Sequence, residues 1–180
     1  MVSNIILIGP ILTGKSTLAD ILSQKLGYPR CSVDDVRWQY YEEIGYSKEK
    51  EREIRSHSGS EGVYKYWKPF EAHAVIRILQ EHKEHIIDFG GGHSVYEDSE
   101  LFSKVEQVLQ EERNIFLILP SADKTESLQI LNEREFHAIN KHFVEHQSNY
   151  KLAKHIIYTK DKTPEECAEE IISLVRCGTK

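Results

Sequence analysis

The segment Gly9-Pro10-Ile11-Leu12-Thr13-Gly14-Lys15-Ser16-Thr17 has the spacing G-x-x-x-x-G-K-[ST]. Each part has a chemical use. Glycines let the backbone curl so that successive N–H groups point at phosphate oxygens. The helix that should follow adds the positive end of its dipole. Lys15 then places a charge on the β- and γ-phosphates, and the Ser16 hydroxyl is placed to ligate Mg²⁺. Gly9, Thr13, Gly14, Lys15, Ser16, Thr17 are therefore the candidate contacts for Mg-ATP.

Two further carboxylate-bearing segments suit the same chemistry. Cys31-Ser32-Val33-Asp34-Asp35-Val36-Arg37 places acids just past a short strand. A phosphoryl acceptor needs its hydroxyl oriented and often deprotonated, and Asp34 is the candidate for that role or for holding Mg²⁺. Arg37 follows one turn later and suits an anionic group. An aspartate here would also stabilise a helix start by capping alone. Ile86-Ile87-Asp88 ends in a carboxylate resembling a Walker B element, a second candidate for orienting Mg²⁺. Gly90, Gly91 and Gly92 follow, suited to close approach of substrate. Which of Asp34, Asp35 and Asp88 is the base stays open at this point.

These motifs need strand ends to carry them. Apolar runs Asn4–Gly9, His85–Asp88 and Asn114–Leu119 read as buried strands, with shorter ones at Tyr28–Val33 and His155–Thr159. Helical spacing fills Ser16–Leu26, Ser99–Glu112 and Asp123 to about Arg134. Asp35–Glu84 is mostly helical, with breaks expected near Gly45, Gly59 and Gly62, and Pro69 expected as a helix start or kink. Thr163, Pro164 and Glu166 form a capping box for a last helix. Unalternating strands joined by helices imply a parallel sheet covered on both faces. Ligands bind beyond the carboxyl ends of such strands, where Gly9, Asp34 and Asp88 fall.

The chain has 180 residues, 39% hydrophobic and 29% charged, with a net charge of −6. That suits one domain spanning 1–180. With no basic stripe, a nucleic-acid strand is not an expected partner. No apolar run approaches the ~20 residues of a membrane helix. No leader pattern precedes the first strand, and Cys31, Cys167 and Cys177 lack metal-type spacing, so a cytoplasmic protein with reduced thiols is expected.

The phosphate loop, the paired aspartates and the triple glycine resemble the shikimate kinase family, within the nucleoside-monophosphate-kinase-like group. The resemblance covers nearly the whole chain. It implies a three-layer α/β/α P-loop NTPase fold with a five-stranded parallel sheet and a helical lid, here 135–147. It implies ATP and Mg²⁺ as cofactors and a hydroxylated small molecule as acceptor. Arg134 resembles the family arginine that packs on adenine at the lid base, a cofactor-binding and catalytic candidate. The family's Phe-Arg-x-x-Glu segment reads Trp67-Lys68-Pro69-Phe70-Glu71 here, and its Arg-x-x-x-Tyr segment reads His146-Gln147-Ser148-Asn149-Tyr150. Lys68 and His146 thus stand where the family's substrate-gripping arginines would be. Neither has the planar fork of arginine, so shikimate is expected to be a poor acceptor. Ser32-x-Asp34-x-x-Arg37 also resembles chloramphenicol-phosphotransferase-like and polynucleotide-kinase-like proteins.

A nucleotide or nucleoside kinase, or a regulatory NTPase without acceptor, are the alternatives to a metabolite kinase. His142-Phe143-Val144-Glu145-His146 matches H-x-x-E-H, the inverted zinc-peptidase pattern. A peptidase would need a third ligand and another scaffold, so a polar lid or substrate contact is the expected role. Lys141 is the only lysine or arginine between 135 and 147, which makes this candidate lid sparse in cations.

Overall fold

The computed structural model describes residues 3–177. Five strands form one parallel sheet in the order β2-β3-β1-β4-β5: β1 Ile5–Ile8, β2 Arg30–Ser32, β3 Ile86–Asp88, β4 Asn114–Leu119 and β5 His155–Tyr158. Register pairs Leu7 with Asp88 on one side of β1 and with Phe116 on the other. Alternate residues of each strand face opposite ways, and both directions are apolar. Ile6, Ile8, Ile87, Ile115 and Leu117 pack with helices α2 (Val33–Glu43), α3 (Lys48–Glu81), α4 (Ser99–Leu109) and α7 (Gln147–Leu152). Ile5, Leu7, Ile86, Phe116 and Ile118 pack with α1 (Lys15–Leu26) and α8 (Pro164–Cys177). Helices on both faces free the central strands from any need for polar alternation, giving the expected three layers.

Boundaries moved where propensity and packing disagree. The strand expected over Tyr28–Val33 is only Arg30–Ser32, and Val33 already opens α2. The capping role considered for the aspartates does not arise: Ser32 is the N-cap, and Asp34 and Asp35 lie in the first turn. Gly45 follows α2 with a positive φ, and Gly59 (φ 61°, ψ −155°) interrupts α3, as expected. Gly62 and Pro69 break nothing. Pro69 sits inside α3 among buried Lys68, Phe70 and Glu71, where packing outweighs its lost hydrogen bond. The last helix has the expected capping box: Glu166 N–H donates to Thr163 Oγ1 at 3.2 Å, and Thr163 N–H to Glu166 Oε2 at 2.7 Å. Between β4 and β5 run α5 (Lys124–Arg134) and the short α6 (Ile139–Glu145), which lies within 135–147. Among the described residues, no helix is long and apolar enough to cross a membrane.

Candidate active site

All strands being parallel, the segments that leave β1, β2 and β3 open on one edge of the sheet. The loop after β1 wraps into α1, whose N-cap Gly14 (φ 89°) provides no side-chain acceptor. The first-turn amides of a helix lack intrahelical partners, so this uncapped end meets the requirement of an anion site. Gly14, Ser16 and Thr17 are exposed, while Thr13 is buried. The Lys15 ammonium is buried, donating to the carbonyls of Gly9 (2.9 Å) and Pro10 (2.6 Å). Burial pulls its pKa down to about 8, against the pull of Asp34 and Asp88 upward. The donor set fits a nucleotide polyphosphate: an uncapped helix start, a poised ammonium and exposed hydroxyls.

Ser16 Oγ donates to Asp88 Oδ2 at 3.0 Å. A hydroxyl beside a carboxylate is a donor set suited to Mg²⁺. Asp88 is also held by Arg30, through Nε to Oδ1 and Nη2 to Oδ2, both at 2.9 Å, and Arg30 reaches Asp20 at 2.7 Å. Nothing about Arg30 in the sequence set it apart from any strand residue.

Asp34 is exposed and accepts from Arg37 Nη1 at 3.1 Å. It lies hard against the first of the three glycines: a Cβ at Gly90 would sit 2.4 Å from Asp34 Oδ1 and 2.7 Å from His93 Nδ1. A Cβ at Gly92 would sit 2.6 Å from Glu71 Oε1. The close approach these glycines permit is thus made by the protein's own side chains. Burial drives the His93 pKa down to about 3, so the ring is neutral; its Nε2 meets Tyr41 Oη at 3.2 Å.

Three cavities follow one another along the sheet edge. A cleft lined by Arg134, Thr13, Gly14, Thr17, Thr159 and Lys162 opens onto the phosphate loop. There Arg134 Nη1 donates to Leu12 O at 2.7 Å. The loop's own cavity, about 360 Å³, is bordered by residues 11–17, Asp34, Phe89, Gly90 and Gly91. Beyond it a cavity of about 570 Å³ is lined by Asp34, Arg37, Arg55, Tyr64, Trp67 and Phe143, among others. Asp34 borders the second and the third. The Arg37 guanidinium lies 4.5 Å from the Trp38 ring centroid and 5.1 Å from that of Trp67.

Over residues 13–176 the chain matches the shikimate kinase family model. The chain belongs to the shikimate kinase family. That places it among P-loop small-molecule kinases, which use ATP, typically with Mg²⁺. Solved structures agree on the fold at low identity. The Acinetobacter baumannii shikimate kinase bound to shikimate aligns with a TM-score of 0.66 at 16% identity, covering 99% of this chain and 95% of that one. The Aquifex aeolicus shikimate kinase gives 0.62 at 23%, covering 98% of each. A Sinorhizobium meliloti gluconokinase gives 0.55 at 13%, covering 97% and 91%. The curated proteins give no match.

Within this family member, neither position expected for a substrate arginine lines the cavity around Asp34, although Lys68 backs two residues that do, Glu71 and Gly92. Lys68 is buried, and its ammonium donates to Glu71 Oε2 (2.5 Å), Gly92 O (2.9 Å) and Val95 O (3.0 Å). Its three protons are spoken for. His146 is the N-cap of α7, its Nδ1 accepting from Ser148 N–H at 3.2 Å. Two residues the sequence did not single out complete the site. Arg55 reaches the Asp34 cavity from α3. Asn140, buried on α6, holds the loop at Ile11.

Proposed function

We propose that this kinase transfers the γ-phosphoryl group of Mg-ATP to a hydroxyl of a small anionic metabolite, with Asp34 as the base. The observation that carries this is the position of Asp34, the carboxylate shared by the phosphate cavity and the cavity next to it. When bound, Mg-ATP supplies the electrophilic phosphorus and the metal's charge. Lys15 and the uncapped amides of α1 hold the polyphosphate, Ser16 and Asp88 hold Mg²⁺, and Arg134 borders the nucleotide-side cleft. The acceptor lies in the Asp34 cavity. Its hydroxyl would give its proton to the Asp34 carboxylate as its oxygen bonds to the γ-phosphorus and the bond to the bridging oxygen breaks, releasing ADP.

An anionic acceptor is favoured by Arg37 and Arg55, the two guanidinium groups bordering that cavity. Arg37 Nε is buried without a protein partner, a donor still to be satisfied. Neighbours named for shikimate and gluconate, both hydroxylated carboxylates, support the same class. Shikimate itself is disfavoured because the Lys68 ammonium is fully engaged by protein acceptors. Tyr64, Trp67 and Phe143 give the cavity aromatic walls that also suit a nucleobase, which keeps a nucleoside acceptor as the second reading. The deciding experiment measures ADP release from Mg-ATP against hydroxylated carboxylates, phosphorylated sugars and nucleosides. Acceleration by a hydroxylated anion, lost in Arg37→Ala, supports the proposal; acceleration by uncharged nucleosides alone replaces it with the second reading.

A further inference from the structure

Glu97, His142 and His146 come from three places: the loop between β3 and α4, helix α6, and the junction of α6 with α7. One ligand atom from each lies within 4.8 Å of the others. His142 Nε2 and Glu97 Oε1 are 2.5 Å apart, and the two imidazole rings are 5.0 Å apart. Tyr64 Oη donates to the same Glu97 oxygen at 2.8 Å. We infer that these three side chains form a binding site for one divalent first-row transition-metal ion of the zinc type, separate from the phosphate loop.

The donor set selects the metal. Two imidazoles and one carboxylate suit Zn²⁺, Co²⁺ or Ni²⁺, whereas Mg²⁺ prefers an all-oxygen shell. Metal–nitrogen and metal–oxygen bonds of about 2.0–2.2 Å put tetrahedral ligand atoms roughly 3.4 Å apart. The widest separation must therefore close by at most about 1.4 Å, while the His142–Glu97 pair opens by about 0.9 Å. Glu97 is exposed and both histidines are half-buried, so side-chain rotation supplies that movement. Tyr64 is an outer partner that orients Glu97, the arrangement that tunes metal ligands elsewhere.

This is not the zinc peptidase arrangement of H-x-x-E-H. Glu145 takes no part, and the carboxylate comes from 45 residues upstream of His142. Three ligands leave a fourth position open. The site adjoins a cavity lined by Tyr64, Lys68, Tyr96, Glu97, Leu101 and His142. Tyr64 borders this cavity and the Asp34 cavity alike. A bound ion would fasten residues 142–146 to the loop that follows the glycines.

The test is binding of Zn²⁺ by calorimetry and of Co²⁺ by its visible absorption, on the full chain without nucleotide. One ion per chain is expected, and Glu97→Gln and His142→Gln should each weaken it at least tenfold. His146→Ala should do the same; because it also removes the α7 cap, the His142 and Glu97 variants carry the test if it folds poorly by circular dichroism. Ser16→Ala at the phosphate loop and His82→Ala at the other close histidine pair (rings 4.7 Å apart) should leave affinity unchanged. Absence of stoichiometric binding overturns the inference. So does affinity that follows Ser16 or His82 while the His142 and Glu97 variants bind like the parent.

Discussion

Asn140 closes a two-way hydrogen bond on Ile11. Its Oδ1 accepts from the Ile11 N–H at 2.9 Å, and its Nδ2 donates to the Ile11 carbonyl at 3.2 Å. A fully buried side chain on α6 thereby stands in for a backbone partner at the middle of the phosphate loop. The segment 135–147 is fastened to the loop at this point, so any movement of that segment must either carry the loop along or break both bonds.

Asn140→Ala leaves two backbone groups without partners. An unsatisfied buried group costs about 1–3 kcal/mol, and Ile11 is only half-buried, so water recovers part of it. The expected loss is about 2 kcal/mol, read as a lowered Tm, with a raised KM for ATP because the loop loses its brace. Equal stability and equal KM in the variant would show that water replaces the brace at no cost.

ATP affinity should fall above pH 8. In the free protein the Lys15 ammonium loses its proton at about that pH because it is buried. Phosphates bind the charged form and raise its pKa, so binding takes up a proton there and the association constant drops by up to tenfold per pH unit. The effect on ligand-free stability has the opposite sign. The unfolded chain keeps this proton up to about 10.5, the folded one only to about 8, so this group makes folding more favourable as pH rises between the two. Lys15→Ala should bind Mg-ATP far more weakly and lose the one-proton slope near pH 8. Calorimetric titrations of both proteins from pH 6 to 9.5 test this.

Arg30→Ala should destabilise through Asp88. That carboxylate is 4% exposed, and the variant would leave it buried without its bidentate cation. Breaking a buried ion pair from one side costs about 3–5 kcal/mol. Arg30 is about a quarter exposed, so the lower end, roughly 3 kcal/mol, is expected. Arg30→Ala combined with Asp88→Asn should regain most of it. A double variant no more stable than Arg30→Ala would place the cost in packing instead of charge.

What could be read from the sequence was whatever is local. The phosphate loop lies within nine consecutive residues, and β1 and β4 are unbroken apolar runs, so neither needed knowledge of the fold. Strand β2 has three residues and one buried side chain, too little pattern to bound it. Pro69 reads as a helix start or a kink because its cost is local, while the burial of Lys68, Phe70 and Glu71 that offsets it is tertiary. Asn140, Arg30 and Glu97 escaped notice for the same reason. Their partners lie 129, 58 and 45 residues away, at Ile11, Asp88 and His142. No periodicity links such positions.

Asp34→Asn should separate chemistry from binding. Asp34 is exposed, and among the described residues its one side-chain hydrogen bond is from Arg37 Nη1 at 3.1 Å, which an asparagine oxygen can still accept. The change removes one charge from the first turn of α2, worth about 0.3–1 kcal/mol with the helix dipole, so Tm should shift little. Asp34 borders the phosphate-loop cavity but not the cleft of Arg134, and the change leaves Lys15, Ser16 and the α1 amides in place, so ATP affinity should stay within a few-fold. Turnover with the acceptor should fall by about 10²-fold or more, the lower range of general-base contributions. Asp35→Asn is the matched control: it also removes a first-turn charge, yet Asp35 lines neither cavity that Asp34 joins. Retained turnover in Asp34→Asn together with its loss in Asp88→Asn would move the base to Asp88, and the acceptor's hydroxyl would then have to approach from beside Ser16.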